Sequence, residues 1–330
     1  FFTARKSERR GEARAMLCTY CLLGSALLGG VLGFSAMPED GYPKTIALPN
    51  DALPEGVVGG EGSYLFAGSL ADGRIWKIDT SSGSVMEHVA ALPVNESMSM
   101  ASHPAVGLCY DKMTKILWVS GGPSGEARAF DGESGAMLGV WAIAPAGSSF
   151  VNDCIVTDAG VYFTNSFAAE FYLLPWSGDG HMLPNSFNVI ALADEWEQSE
   201  GFNANGIEAL ADGSLYIVHS SSGVLYHVLP SGMAHKVALT NLEGEPYLVF
   251  TGDGILLDGT TLYITMNGYN QIAVFDMKMM TGTEIKTVSD DDFDEVTTIA
   301  KVHDRFYGVN AKFATPPPTD YHIVHITGLP

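Results

Sequence analysis

Cysteine and basic residues are scarce in this 330-residue chain. It contains four cysteines, of which only Cys109 and Cys154 follow residue 36, so the main part of the chain has no framework of several disulfides. Lysine and arginine together number 17, against 38 aspartate and glutamate residues. This acidic balance argues against nucleic acid as a partner, because phosphate binding needs clustered positive charge.

Several well-known catalytic and nucleotide-binding motifs are also missing. The sequence has no GxSxG, no GxxxxGK[ST] and no HExxH, which removes the main support for a serine hydrolase, a nucleotide-driven enzyme or a zinc protease. It has no long amphipathic helical pattern after residue 40. Its 37 glycines, its many Tyr, Phe, Val and Ile residues and its repeated DG and SG turns favour an all-β protein.

Residues 1–36 differ from the rest of the chain. Five basic residues in "ARKSERRGEAR" precede the uncharged run "AMLCTYCLLGSALLGGVLGFSAM", which covers residues 15–37. This pattern predicts a hydrophobic helix that is either a cleaved secretory signal or a type II membrane anchor. We therefore expect residues 42–330 to form a secreted or membrane-anchored domain in the lumen or outside the cell, where the sequon at Asn95 would carry a glycan.

A short apolar strand with an aromatic residue recurs six times. The copies are YLFAGS, ILWVSG, VYFTNS, LYIVHS, LYITMN and FYGVNA, and their aromatics are separated by 52, 44, 54, 47 and 44 residues. Most copies are followed by a small-residue turn and a second alternating strand, which is a hairpin pattern. One four-stranded blade needs about this much chain, so the sequence predicts a six-bladed β-propeller.

The two ends of the domain are expected to meet in the last blade. "YHIVHIT" at 321–327 has the pattern of that blade's third strand, and "KTIALP" at 44–49 can supply its outer strand. Pairing the two ends in one sheet would remove an open edge.

Oxygen-bearing side chains recur where four of the innermost strands are expected to begin. In LPEGVVGG, FVNDCIVTD, NANGIEAL and TGDGILLD they occupy nearly the same register, at Glu55, Asn152, Asn205 and Asp253. Each alone could be a turn former, since ND, NG and DG are common turn dipeptides. Together they precede apolar strands, where an unpaired carboxylate would be costly. The set therefore predicts one divalent cation, with calcium as the first candidate, on the propeller axis.

Three longer stretches resemble a known superfamily. FVNDCIVTDAGVYFTNSF, GFNANGIEALADGSLYIVHSSSGVLYHV and GDGILLDGTTLYITMNGYNQIAVF are similar to the senescence marker protein, gluconolactonase and luciferin-regenerating enzyme superfamily. The resemblance spans about residues 53–313. It implies a six-bladed propeller with one catalytic divalent metal, often calcium, that hydrolyses lactones or related esters. It also implies that the family's metal-binding Glu, Asn, Asn and Asp correspond in order to Glu55, Asn152, Asn205 and Asp253.

One position departs from the sugar-lactone members of that superfamily. They usually carry Arg two residues before the ND asparagine, where this chain has Phe150. Together with Phe202, Phe150 predicts an apolar pocket wall. The expected substrate is therefore an aliphatic lactone, an aryl ester or a similar small molecule rather than a sugar lactone.

The resemblance also suggests how the residues would share the chemistry. A cation would polarise the substrate carbonyl and activate water. Asp253 is the candidate that both binds metal and positions the water, although a metal-bound carboxylate is a poor base. His103 lies before the predicted inner strand of the second blade, and His219 follows the LYIV strand. Both are candidate bases, with a hydrogen-bonded or exposed structural histidine as the alternative for each. Asp153 is a further candidate, although its side chain is expected to point away from that of Asn152.

Two other functions are compatible with the sequence. A non-catalytic propeller could keep the metal for stability and bind a small ligand or a protein, because fold alone does not decide function. A strictosidine-synthase-like enzyme would share the architecture but generally lacks the axial metal, so the four matched residues weigh against it. The leading interpretation is a metal-dependent hydrolase.

Overall fold

The structure is a computed structural model that describes residues 41–92, 103–315 and 319–330. The predicted N-terminal hydrophobic helix and the sequon at Asn95 lie outside these residues. Within them, no helix is long and apolar enough to cross a membrane. The described chain is built of β-strands and one short 3-10 helix, Asn267–Tyr269.

The strands group into six sheets that follow one another along the chain. The first half of the chain forms β1 (Thr45–Ala47), β2 (Pro54–Gly59), β3 (Tyr64–Ser69), β4 (Ile75–Asp79), β5 (Ser84–Val89), β6 (Leu108–Asp111), β7 (Ile116–Ser120), β8 (Glu126–Asp131), β9 (Met137–Ala142), β10 (Val151–Thr157), β11 (Gly160–Asn165), β12 (Glu170–Pro175) and β13 (Asn188–Ala191). The second half forms β14 (Ala193–Asp194), β15 (Ala204–Ala209), β16 (Leu215–His219), β17 (Val224–Val228), β18 (Met233–Lys236), β19 (Ala238–Thr240), β20 (Gly252–Asp258), β21 (Thr261–Met266), β22 (Gln271–Lys278), β23 (Thr281–Val288), β24 (Val296–Val302), β25 (Arg305–Asn310) and β26 (His322–Ile326).

Each sheet is one blade of a six-bladed propeller, which confirms the predicted fold. Blades 1, 2 and 3 are β2–β5, β6–β9 and β10–β13, and blades 4 and 5 are β15–β18 and β20–β23. Blades 4 and 5 each gain a short outer strand that pairs in parallel, β14 on β18 and β19 on β23. The first strands of successive blades contact one another in a closed ring of β2, β6, β10, β15, β20 and β24.

The last blade joins the two ends of the domain, as the sequence predicts. Its strand order is β24, β25, β26, β1, and the outermost pair is antiparallel. Thr45 lies opposite Val324, and Ala47 lies opposite His322. The N-terminal strand therefore covers the edge that β26 would otherwise expose.

The second strand of every blade is buried on both faces. Neighbouring blades pack on either side of it, so these strands are continuous apolar runs rather than alternating ones. The six recurring aromatics all lie on these strands and are at most 2% exposed; they are Phe66, Trp118, Tyr162, Tyr216, Tyr263 and Tyr307. The sequence repeat therefore reflects the apolar core that recurs between neighbouring blades.

A disulfide joins the inner strands of blades 2 and 3. Cys109 on β6 and Cys154 on β10 are bonded, with their Cα atoms 5.7 Å apart. This bond was not predicted from the sequence, because the two cysteines are separated by 45 residues and become neighbours only when blades 2 and 3 pack side by side. The bond cross-links two blades directly beside the propeller axis.

Candidate metal centre

The four predicted ligands lie inside inner strands, at an interruption of strand pairing. Glu55 is in β2, Asn152 in β10, Asn205 in β15 and Asp253 in β20. In all four strands the register against the second strand shifts across the ligand and the residue after it. Such a bulge re-aims side chains that regular pairing would direct elsewhere. The four residues are therefore strand residues and not turn formers.

Glycine follows three of the four ligands because adjacent inner strands approach closely there. A Cβ on Gly56 would collide with the carbonyl oxygen of Val106 in blade 2, and one on Gly206 would collide with the carbonyl oxygen of Asp253 in blade 5. Neither Gly56, Gly206 nor Gly254 has a left-handed backbone conformation. Glycine is required at these positions because there is no room for a Cβ atom, and not because the backbone adopts a left-handed conformation. The EG, NG and DG pairs thus mark strand packing around the axis.

The four side chains line one pocket of about 650 Å³. The rest of its lining is mostly apolar and consists of Leu70, Pro123, Phe150, Phe167, Gly201, Phe202, Ser220, Ser221, Thr251, Asn267 and Phe313. Of the described residues, no Lys, Arg or His side chain lines this pocket. The two carboxylates in it therefore face each other without a basic partner.

Burial makes both carboxylates hard to ionise in the absence of a cation. The side chains are almost fully buried, with 7% of Glu55 and 4% of Asp253 exposed. Burial, reinforced by the charges of Asp253 and Asp153, raises the pKa of Glu55 well above its usual range. Burial also raises the pKa of Asp253 to about 7, although hydrogen bonds from Asn267 and Asn205 act to lower it. A bound cation would offset this cost by supplying the missing positive charge.

The two asparagines present their amide oxygens as acceptors. Nδ2 of Asn152 donates to Oγ of Ser166 at 2.8 Å, and Nδ2 of Asn205 donates to Oγ of Ser220 at 2.9 Å. None of the described residues donates a hydrogen bond to either amide oxygen. Nδ2 of Asn205 also donates to the carboxylate of Asp253. Two carboxylates and two amide oxygens are ligands of the kind that calcium prefers.

A divalent cation therefore fits this set of residues. In the parts of the chain that the structure describes, no group of three or more His, Cys, Asp or Glu side chains gathers around a common point. The axial set differs from such groups because two of its four side chains are amides. Calcium accepts amide and carboxylate oxygens alike and tolerates irregular geometry.

The sequence analysis missed three residues that support the ligands. Ser166, Ser220 and Asn267 follow the second strands of blades 3, 4 and 5, and each bonds the ligand 14 or 15 residues before it. The recurring segments VYFTNS, LYIVHS and LYITMN each end in one of these polar residues. This shared polar last residue is the sequence feature from which the three supporting residues could be predicted.

An aromatic cluster forms one wall of the pocket. Phe150 and Phe202, the two predicted wall residues, both line it, and Phe167 joins them. Ring centroids are 5.1 Å apart for Phe150 and Phe202, 5.5 Å for Phe150 and Phe167, and 5.1 Å for Phe167 and Phe202. Phe167 and Phe202 are 45% and 42% exposed, so the apolar wall reaches the solvent at the pocket mouth.

The two candidate histidines lie outside the pocket lining. Nδ1 of His103 is 2.8 Å from Oε2 of Glu126. His219 is fully buried, and its Nδ1 accepts from the backbone N–H of Ser222 while Nε2 donates to the carbonyl oxygen of Glu197 at 3.0 Å. Both nitrogens of His219 are thus in use, and burial lowers its pKa. A catalytic role for either histidine stays a prediction.

Asp153 and Glu208 line a second cavity between the inner strands, of about 270 Å³. Asp153 is absent from the lining of the pocket that holds Asn152, as alternation along a strand would place it. Burial raises the pKa of Asp153 to about 7 and that of Glu208 to about 8. Both carboxyl groups therefore favour the protonated form far more than an exposed acid does.

Glu208→Gln is expected to reduce the loss of stability at alkaline pH. The pKa of Glu208 rises from its usual 4.5 to about 8 on folding, so the native state retains a proton that the unfolded chain releases. The resulting stability is complete below pH 4.5 and is lost as the pH rises through about 8. Melts at pH 5 and pH 9 should show a smaller decrease for the variant, by roughly 1–2 kcal/mol or a few degrees. The exposed Glu243→Gln is the matched control, and an equal decrease in all three proteins would contradict this expectation.

Comparison with known proteins identifies the fold but no family. No protein-family model matches the sequence, and no curated protein matches it. The Malassezia sympodialis allergen Mala s 1 has a similar structure, with a TM-score of 0.61 at 14% identity over 86% of this chain and 96% of that chain. Luciferin-regenerating enzyme gives 0.55 at 15% identity over 86% and 95%, and virginiamycin B lyase from Staphylococcus aureus gives 0.51 at 12% over 86% and 98%. At these identities the likeness is one of fold, which an allergen and two enzymes share.

Proposed function

We propose that the protein is a metal-dependent hydrolase of lactones or related esters. Glu55, Asn152, Asn205 and Asp253 would hold one divalent cation, with calcium as the first candidate. The observation that carries this proposal is the convergence of two buried carboxylates and two amide oxygens in a pocket without a basic lining residue. The fold shared with luciferin-regenerating enzyme and virginiamycin B lyase, and the sequence resemblance to the superfamily named above, support enzymatic activity on this scaffold.

The cation and the protein side chains would have different roles in the hydrolysis. When bound, the cation supplies Lewis-acid polarisation of the carbonyl and lowers the pKa of a bound water. Nδ2 of Asn267 donates to Oδ2 of Asp253 at 2.6 Å, and Asn205 also donates to this carboxylate. These bonds would hold Asp253 in place to bind the cation and position the attacking water. Glu55 receives no hydrogen bond to its carboxylate from the described residues and would add the second negative charge that holds the cation.

The pocket favours an uncharged, apolar substrate. Phe150, Phe167 and Phe202 offer aromatic faces to a ligand, and Phe313 and Leu70 extend the apolar lining. No basic side chain among the described residues is placed to bind a polyol or a carboxylate in this pocket. An aliphatic lactone or an aryl ester is therefore the proposed substrate class.

We also propose that the domain acts in the secretory pathway, either secreted or anchored through residues 15–37. The Cys109–Cys154 disulfide supports this placement, because such bonds persist mainly in oxidising compartments. The basic and then apolar N-terminal sequence is the second argument for it.

A metal-stabilised propeller that binds a small apolar ligand without turning it over is the second candidate. One observation favours it: no titratable group other than Glu55 and Asp253 lines the pocket among the described residues. An enzyme of this type would therefore have to use a metal-binding carboxylate to position water.

Hydrolysis assays on the purified protein separate the two candidates. We expect turnover of an apolar lactone or aryl ester that stops on chelation and returns with calcium, while a sugar lactone is a poor substrate. Asp253→Ala should lower kcat/KM by roughly 100-fold or more. Asp258→Ala, on the exposed end of the same strand, is the matched control and should keep full activity. Calcium binding without any turnover would favour the second candidate, and a clear preference for sugar lactones would overturn the proposed substrate class.

A further inference from the structure

Two serines connect the candidate ligands of neighbouring blades. Oγ of Ser166 donates to the carbonyl oxygen of Ala204 at 2.7 Å, and Oγ of Ser220 donates to the carbonyl oxygen of Gly252 at 2.5 Å. Ala204 immediately precedes Asn205, and Gly252 immediately precedes Asp253. Each serine therefore contacts the ligand of its own blade and the backbone just before the ligand of the next blade.

The single proton of each hydroxyl fixes the orientation of the neighbouring amide. A carbonyl oxygen can only accept, so Ser166 must spend its proton on Ala204. Its oxygen can then only accept from Asn152, which must present Nδ2 to the serine and Oδ1 to the other side. The same argument applies to Ser220 and Asn205.

We propose that Ser166 and Ser220 are positioning residues that fix the orientation of both amides, with each amide oxygen directed away from its serine, and so set the affinity for the cation. The inference rests on the proposed function in that it assumes a cation at the axis. Through Ala204 and Gly252 the same two hydroxyls also fix the spacing between successive ligands in blades 3, 4 and 5. The two hydroxyls thus link the three ligands into one hydrogen-bonded network.

A purely structural role would look different from this positioning role. If the serines only fastened one blade to the next, the hydroxyl-to-carbonyl bond would be sufficient, and the hydroxyl oxygen would not need to accept from the amide. The orientation of the amide is therefore the property to measure.

Four variants test the proposal in the full-length protein. Ser220→Ala and Ser166→Ala remove each hydroxyl, and Ser220→Thr keeps it. Ser222→Ala is the matched control, because Oγ of Ser222 accepts from the backbone N–H of Val224 and lies outside the pocket lining. Calcium affinity is measured by calorimetric titration after chelation. In the chelated protein, exchange of the side-chain NH₂ protons of Asn152 and Asn205 is measured by NMR with labelled asparagine.

We expect both alanine variants to bind calcium roughly 10–100-fold more weakly, as is typical when an outer-shell partner of a ligand is lost. Ser220→Ala should speed exchange of the Asn205 NH₂ protons, whereas Ser220→Thr and Ser222→Ala should match the wild type in both measurements. Normal calcium binding by the wild type with unchanged affinity in both alanine variants would overturn this inference alone. Unchanged NH₂ exchange would overturn it regardless of the metal. A wild type that binds no divalent cation would overturn the proposed function together with this inference.

Discussion

Calcium is expected to raise the melting temperature of the chelated protein, and Asp253→Ala is expected to abolish the rise. A ligand that binds only the native state adds about 2.7 kcal/mol at 100 times its dissociation constant, a shift of several degrees for a domain of this size. Without calcium, the variant should melt no earlier than the wild type, because it removes a buried carboxylate whose pKa is raised to about 7. Thermal melts across a calcium titration provide the measurement.

The same titration on Asp258→Ala distinguishes a specific site from a general effect of calcium on an acidic surface. The net charge of this chain is −21 at pH 7, so weak surface binding is expected in any variant. Asp258 is on the same strand as Asp253 but is exposed and paired with Lys301. If calcium and other divalent ions stabilise neither the wild type nor Asp258→Ala, the four axial residues do not bind a metal.

Loss of the disulfide is expected to lower the free energy of unfolding by roughly 2–4 kcal/mol. The bond joins cysteines that are 45 residues apart, and loop-closure entropy alone gives an upper value of about 4 kcal/mol for such a loop. The Cys109→Ser, Cys154→Ser double variant avoids leaving one reactive thiol in the core. Denaturant unfolding measures the change, with the reduced wild type as a second comparison.

The reductant provides a control for the effect of the disulfide on unfolding. Reduction of the wild type should move its unfolding midpoint toward that of the double variant, while the reductant should leave the double variant unchanged. Identical midpoints for the oxidised wild type and the double variant would show that the cross-link adds nothing to the stability of the ring.

The sequence predicts the six blades well because each blade repeats one strongly constrained strand. A second strand buried on both faces must be apolar throughout, so it recurs as a visible aromatic segment such as ILWVSG around Trp118. The ligand candidates were identified for a related reason. Glu55, Asn152, Asn205 and Asp253 occupy the same register of equivalent strands, so a comparison of repeats finds them without knowledge of the contacts.

Features that depend on which strands become neighbours could not be predicted in the same way. The Cys109–Cys154 bond forms only when blades 2 and 3 pack side by side. The short strands β14 and β19 pair in parallel with β18 and β23, which come later in the chain. The surroundings of His219 could not be predicted either, for a different reason. It directly precedes Ser220, but successive side chains point in opposite directions along a strand. Ser220 therefore reaches Asn205, whereas His219 packs against Trp196 with ring centroids 5.1 Å apart.

The closure of the last blade also fixes the order in which the protein can be completed during synthesis. Strand β1, only three residues long, emerges from the ribosome before any blade, whereas its partner β26 emerges after the other strands of the propeller. Until then, β1 and the outer edge of β25 both lack their native partners. A chain interrupted before His322 would keep both edges open, and such edges readily pair with other chains. Premature termination of translation late in this message would therefore release a nearly complete ring that is prone to aggregate.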